Sequence, residues 1–442
     1  MAYNRFFSEI LTIREVEYKV EHERKDIKYQ VEHGYKLYTL MHYVNKETLI
    51  KQHRNQQKGK ATGIDKMTKE EYDRDLENNI ENLLKRMKKF SYKPQAVKRT
   101  YIPKLNGKLR PLGIPSYEDK LVQGAMAEIL NEIYECKFLD CSYGFRANRN
   151  CHQAIREINQ HIMTNKVNYI LDCDIKGFFD NVNHDWLIKF LEHDIHDKNF
   201  IRYIKRFLIS GYMEEMKYHE TDKGTPQGGL ISPVLANVYL HYVLDLYFEK
   251  KIKLNLKGEA YLVRYADDFI IMFQYENEAK QVYKMLTGRL AKFGLEMEKE
   301  KTRIIPFGRY KGTNETFDFL GFMHYNGTTR TGKYTVGHKI SKKKKKAKQQ
   351  SITKWCNENK HILLIELIDK LNKKMIGLYA YYGINGMIDE LYKLYYHVRY
   401  ALFKALNKRS QRGLSYNKYI EILSRFPIIK PKIYKDIWAW NI

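Results

Sequence analysis

Two acidic clusters stand where their neighbours are apolar. In "LVRYADDFIIMF" the adjacent carboxylates Asp267 and Asp268 separate two strand-like runs, with Val263 and Tyr265 before them and Ile270, Ile271, Met272 and Phe273 after. The pattern predicts a β-hairpin with the acids in its tight turn. A single Asp in a turn is ordinary, since its side chain bonds turn backbone well; two in succession ask for another reason. A second acidic strand lies upstream in "NYILDCDIKGFFDNVNHDWL". Period-two alternation puts Ile170, Asp172 and Asp174 on one face and Leu171, Cys173 and Ile175 on the other, with Asp174 at the strand end. If the two strands are sheet neighbours, Asp174 and Asp267 converge, and like charges that close call for cations. Two Mg²⁺ ions roughly 3.5–4 Å apart would satisfy them, the arrangement that clamps the attacking and leaving oxygens of an in-line phosphoryl displacement.

Those acids need a scaffold, and the chain has four textures. Residues 1–50 carry charged and apolar residues at helical spacing without Pro, which predicts one or two helices. From about Lys51 the sequence is basic and punctuated by Pro and Gly. Its "NG" pair in "YIPKLNGKLRPLGIP" predicts a hairpin with Lys104 on one strand and Arg110 on the other, cations able to fold over a triphosphate. Residues 166–325 mix strand candidates with long helices, an α+β texture. A lysine run, Lys342, Lys343, Lys344, Lys345 and Lys346, then precedes a helical region through about Gln411 and a Pro-containing tail. Such runs are ordinarily solvated; beside a cleft their cations would track phosphates. In "GTPQGGLISPVLANVYL" Ser232 and Pro233 predict the cap and first residue of a helix. Its glycines let the backbone pass close under a base pair, with Gln227 pointing into the site.

Composition agrees with a phosphate-rich partner. The 442 residues hold 78 Lys and Arg against 52 Asp and Glu, a formal charge of +26, and 14% are aromatic, so nucleic acid is the expected partner. No apolar run is long enough to span a bilayer, and acidic residues interrupt the N-terminus where a signal peptide needs an apolar core. A soluble, cytoplasmic protein without a membrane partner is expected. With 43% hydrophobic residues there is material for two or three domains. The five cysteines form no CxxC pair, so neither a zinc site nor a disulfide framework is indicated, and buried reduced thiols are expected.

Taken together, "YADD", "DIKGFFDNVNHDWL", "TPQGGLISPVLANVYL" and "FDFLGF" resemble the ordered motifs of reverse transcriptases. More narrowly, "RPLGIPSYEDKLVQGAM", "SYGFRANRNCHQAI" and the late "LNKKMIGLYAYYGINGM" and "LFKALNKRSQRGLSY" are similar to bacterial group II intron-encoded reverse transcriptase/maturases, from about Thr39 to Tyr434. The resemblance implies a right-hand polymerase: a helical N-terminal extension (1–50), fingers (51–165), a palm with the catalytic acids (166–325), a basic linker and helical thumb or maturase region (326–425) and a tail (426–442). It implies RNA-directed DNA synthesis on dNTPs with two Mg²⁺, Mn²⁺ being a possible substitute. Asp174, Asp267 and Asp268 would be catalytic and, with Ile175, would hold the metal. Lys104, Arg110, Phe179, Gln227 and Lys301 would meet the nucleotide, and Lys301 could protonate the leaving pyrophosphate. Phe319, Leu320 and Gly321 would grip the primer end, and Lys342 to Lys346 would hold RNA.

The spacing from Asp174 to Asp180 also resembles RNA-dependent RNA polymerases, in which the second acid reads a 2′-hydroxyl. Phe179 argues the other way, as a steric gate against that hydroxyl, with Phe178 as the core residue of the pair. The expected partners are an RNA template, a structured RNA and a DNA primer or product. A group II intron is the first candidate for the structured RNA; a dedicated non-coding RNA, as in phage defence, is the alternative. A splicing factor with incidental polymerase activity is a third reading, against which the intact acids count. The chain stops soon after the thumb, so no DNA-cutting HNH module is expected.

Overall fold

The computed structural model describes residues 2–103, 109–215, 217–225 and 228–438, with side chains from Arg14 onward. Among the described residues, eleven strands fall into three sheets. The central one runs in the order β6 (Ala260–Tyr265), β7 (Asp268–Phe273), β3 (Tyr169–Asp174), β8 (Arg303–Pro306), every neighbour antiparallel. Alternation along these strands feeds two cores, because successive side chains leave opposite faces of a pleated strand. Leu171, Cys173, Phe269, Ile271 and Phe273 pack against a large helical layer that includes Tyr117–Glu135, His184–Asp194, Lys198–Leu208 and Ser232–Leu240. Ile170, Ile270 and Met272 face the helix Cys151–Thr164 and the smaller sheet.

That smaller sheet, in the order β11 (Tyr334–Ile340), β10 (Phe322–Thr328), β9 (Thr316–Phe319), is also antiparallel. Phe317, Phe319 and Val336 join the central core, whereas Phe322 and Ile340 join a third core built by the C-terminal helices. The lysine run is therefore no linker: strand β11 leads directly into the helix Lys342–Glu358, whose first turns it forms. "FDFLGF" spans two strands. It crosses from β9 to β10 through Leu320 and Gly321, both at positive φ, 50° and 82°, as a two-residue hairpin with a type I′ twist requires.

The third sheet, in the order β2 (Leu109–Ile114), β1 (Val97–Pro103), β4 (Tyr212–Glu214), β5 (Lys217–His219), contains the expected basic hairpin. Ile102 pairs with Arg110 across it, and β1 joins β4 in parallel. The helix Ser232–Leu240 starts one residue away from the sequence expectation: Ile231 is the cap and Ser232 is already helical. A Pro in the first turn is enough to start it, since that N–H has no helical partner to lose. All five cysteines are free, but of the thiols expected to be buried only Cys173 and Cys356 are; Cys141 and Cys151 are half-buried and Cys136 is exposed. No helix among the described residues is long and apolar enough to cross a membrane.

Candidate active site

β6 and β7 are joined by only two residues, Ala266 and Asp267, with Tyr265 paired to Asp268. Asp267 thus sits in the turn and Asp268 opens β7. Across the sheet Asp268, rather than Asp267, stands in register with Asp174 at the end of β3. Side chains directly opposite on one face have Cβ atoms about 4.5–5.5 Å apart, so two carboxylates meet at the sheet edge and a third flanks them. Burial, with the neighbouring Asp172, Asp267 and Asp174 charges, pushes the Asp268 carboxyl up to about 8. Burial raises Asp267 as well, and Asp174 adds to the rise while Arg110 and Arg264 oppose it. Asp172, one pleat back, rises to about 6 through burial, against the pull of Arg303.

Like charges crowded this way favour a cation, and Lys301 already supplies one: its Nζ donates to Asp174 Oδ2. Among the described residues no group of three or more His, Cys, Asp or Glu side chains converges as a ready-made metal cage. That donor set fits an ion that keeps waters and takes one or two protein carboxylates plus substrate phosphates. Ile175 turns its side chain into the core, so only its backbone is left to serve the site.

A cleft of about 1040 Å³ opens from Asp268 toward the C-terminal helices. Asp268, Tyr265 and Arg110 line one end; Lys343, Lys344 and Lys348 line the other. The helix divides the lysine run: Lys345 turns inward and bridges Glu390 at 2.9 Å, while Lys342 and Lys346 are exposed outside the cleft lining. Leu320 and Gly321 also line the cleft, but Phe319 is buried in the core and cannot touch a primer from there. The hairpin tip is anchored from the helix Leu364–Tyr382, where the Tyr381 hydroxyl donates to the Leu320 carbonyl at 2.7 Å. Most tyrosines of "IGLYAYYGI" pack inward, Tyr379 and Tyr382 being buried.

Beside Asp174, Phe178 is buried and Phe179 is half-buried at the wall of a second cavity of about 320 Å³. Arg99, Pro111 and Gly113 from the hairpin sheet and Gly224 and Thr225 from the loop opposite complete that wall. Thr225 N–H donates to the Phe179 carbonyl at 2.8 Å, fixing the loop against the ring-bearing segment. Gly228, at φ +110°, has no room for a Cβ because the Gly113 carbonyl lies against it. The close approach is to β2, and Pro226 and Gln227 lie outside the described residues, as does Lys104.

Sequence reasoning passed over Arg264. It is fully buried in β6, one residue before the "YADD" turn, and paired with the equally buried Asp245. A charge inside an otherwise apolar strand was the available signal, and alternation reads it as an outward-facing residue.

Paired carboxylates at the edge of an antiparallel sheet, opening on a cleft walled by cations, define a nucleotidyl-transfer polymerase. Comparison with known proteins gives the family. The model of the reverse transcriptase (RNA-dependent DNA polymerase) family matches residues 102–324. The group II intron-encoded protein LtrA of Lactococcus lactis subsp. cremoris is 30% identical, over 77% of this chain and 69% of that protein. Protein YkfC of Escherichia coli is 31% identical, over 59% and 75%. The nuclear intron maturase 2 of Arabidopsis thaliana is 30% identical over a shorter stretch, 21% and 12%. The chain belongs to the group II intron-encoded reverse transcriptases: it is an RNA-directed DNA polymerase. Enzymes of this family generally use divalent metal ions.

Proposed function

We propose that Asp174, Asp267 and Asp268, with the Ile175 carbonyl, hold two Mg²⁺ ions during RNA-templated DNA synthesis, and that the structured RNA bound by the protein is a group II intron whose splicing and mobility it assists. The register pairing of Asp174 with Asp268 at the mouth of the basic cleft carries the first part of this reading. The metal supplies charge neutralisation at the attacking and leaving oxygens. The chain's own groups do the rest. Arg110, at the same mouth, offers a forked donor to the triphosphate. Phe179 presents its ring beneath the incoming sugar and leaves no room for a 2′-hydroxyl. Lys301 Nζ, held at Asp174 before substrate arrives, is within reach to give a proton to the departing pyrophosphate. The names of the relatives support the intron as partner; maturase action would be assistance to RNA folding and needs no further catalytic group.

Replacing Asp174 or Asp267 with Asn should abolish primer extension, a loss of at least a thousandfold, while RNA binding stays within about twofold, because affinity rests on the basic surface. Extension by Asp267→Asn at the wild-type rate would sink the site. Sequencing the RNA that copurifies with the protein tests the partner: intron domains support it, and a short non-intron RNA would replace it with a dedicated non-coding RNA.

A further inference from the structure

The turn that carries Asp267 is held in an unfavourable shape. Ala266, the first of its two residues, has φ +58°. A hairpin of this length takes positive φ readily only at Gly, Asn or Asp, and an Ala there persists only where surroundings over-determine it. Those surroundings are one guanidinium. Arg264 donates from Nη1 to the Ala266 carbonyl at 3.0 Å and to Asn237 Oδ1 at 3.0 Å. Its Nη2 donates to Ser142 Oγ at 2.7 Å and to Asp245 Oδ2 at 2.6 Å, and its Nε to Asp245 Oδ1 at 2.7 Å. Asn237 in turn donates from Nδ2 to the Gly144 carbonyl at 2.7 Å. Gly144 lies so close to the Ala266 backbone that a Cβ would collide with it.

The helix bends its own geometry to supply the partner. After Ser232–Leu240 it widens into a π-helical stretch, His241–Asp245, and Asp245 ends that stretch with no exposed surface. Such stretches are uncommon and recur at functional sites. A buried, bidentate ion pair is also a poor way to gain stability, since well-packed apolar residues do as well or better. The pair is thus better explained by what it holds.

We infer that Arg264, braced by Asp245 and Asn237, is a positioning residue of the polymerase site: it clamps the Ala266 carbonyl so that the turn presents Asp267 in metal-binding geometry. Lys in its place keeps the charge but has no planar fork, so it cannot serve Asp245 and Ala266 together. This inference rests on the reading of Asp267 as a metal-holding carboxylate, and the test separates the two.

Wild type, Arg264→Lys and Asp267→Asn are compared as full chains bound to RNA template and DNA primer. Three quantities are read: amide hydrogen exchange of the turn peptide, Mn²⁺ binding by electron paramagnetic resonance, and the half-saturating Mg²⁺ for extension. For Arg264→Lys with wild-type Tm and RNA affinity, exchange at Ala266–Asp267 should quicken at least tenfold. Half-saturating Mn²⁺ and Mg²⁺ should rise about tenfold, with excess metal recovering part of the rate. Unchanged exchange and metal affinity in that folded variant overturn the inference while Asp267→Asn remains inactive; a fully active Asp267→Asn overturns the site reading beneath it. Should Arg264→Lys not fold, Asn237→Ala leaves the ion pair to Asp245 intact and removes the Asn237 acceptor of Arg264 Nη1 together with the link to Gly144. It should raise half-saturating Mn²⁺ about threefold, and a wild-type value would equally overturn the inference.

Discussion

At the scale of single residues, Phe178 and Phe179 show how one position decides a role. The helix Phe178–Asn181 begins shortly after the β3 acid, so consecutive rings leave it in different directions: Phe178 into the core, where only 2% of it is exposed, and Phe179 toward the cavity it lines with Arg99, Gly113 and Thr225. The two rings meet edge-on, 5.3 Å apart, which lets the buried one brace the other. Phe179→Ala should therefore raise ribonucleotide incorporation by one to two orders of magnitude while deoxynucleotide use falls only a few-fold, because exclusion by bulk is lost with the bulk. Phe178→Ala should instead cost about 3–5 kcal/mol of stability. Single-nucleotide extension with matched deoxy- and ribonucleotides reads the first effect. An unchanged sugar preference in Phe179→Ala would remove the gate from this ring, and efficient ribonucleotide use by wild type would mean that no gate operates.

At the scale of elements, the sequence made some placements legible and hid others for physical reasons. Alternation in "NYILDCD" and the apolar runs around "YADD" were enough to find both acidic strands, since both patterns are local, but that the two are sheet neighbours stood only as a condition. Their register was not legible: whether Asp267 or Asp268 opposes Asp174 depends on a two-residue turn with Ala at positive φ, a choice local preference argues against. The lysine run was not legible as a helix start either. Five cations in a first turn without an acidic residue oppose the helix dipole, so sequence rules place the start elsewhere. β10 and β11 hold a further feature that alternation did not reveal, the edge-to-face pair His324 and His338, both buried. Burial lowers the His338 imidazole to about 4, and lowers His324 well below its ordinary value with the other ring adding to the effect. Their folded-state affinity for protons is thus below that of the unfolded chain, so their contribution is complete above pH 6.5 and is lost as pH falls from there toward 4. The slope is roughly 1.4 kcal/mol per pH unit for each ring. His338→Gln keeps a donor for Asn159 Oδ1 and removes one titration. Between pH 7 and 4.5 its urea midpoint should fall less steeply than that of wild type. Parallel curves would show that the buried imidazole does not govern acid stability.

At the scale of the whole molecule, the excess of 26 positive charges becomes useful only where the fold collects it. The helix Lys342–Glu358 sorts its lysines by azimuth: Lys343, Lys344 and Lys348 line the cleft that ends at Asp268, while Lys345 serves Glu390, which also takes Lys393 at 2.7 Å. Phosphates in that cleft would provide the anions that the helix N-terminus lacks in its own sequence. Binding of the template–primer duplex should therefore weaken steeply with salt, and each lysine in contact with a phosphate should account for about 0.7–0.9 of the slope of log affinity against log salt. Lys344→Ala and Lys348→Ala should each lower that slope by close to one contact and leave Tm within a degree or two. Lys345→Ala should leave the slope unchanged and instead lower stability by about 1 kcal/mol, because the buried Glu390 carboxylate loses a charged partner. Titrating duplex binding from low to moderate salt for the three variants, with Tm alongside, distinguishes the two kinds of lysine. Equal slopes in Lys344→Ala, Lys345→Ala and wild type would mean that the cleft holds nucleic acid by shape and stacking rather than through this helix.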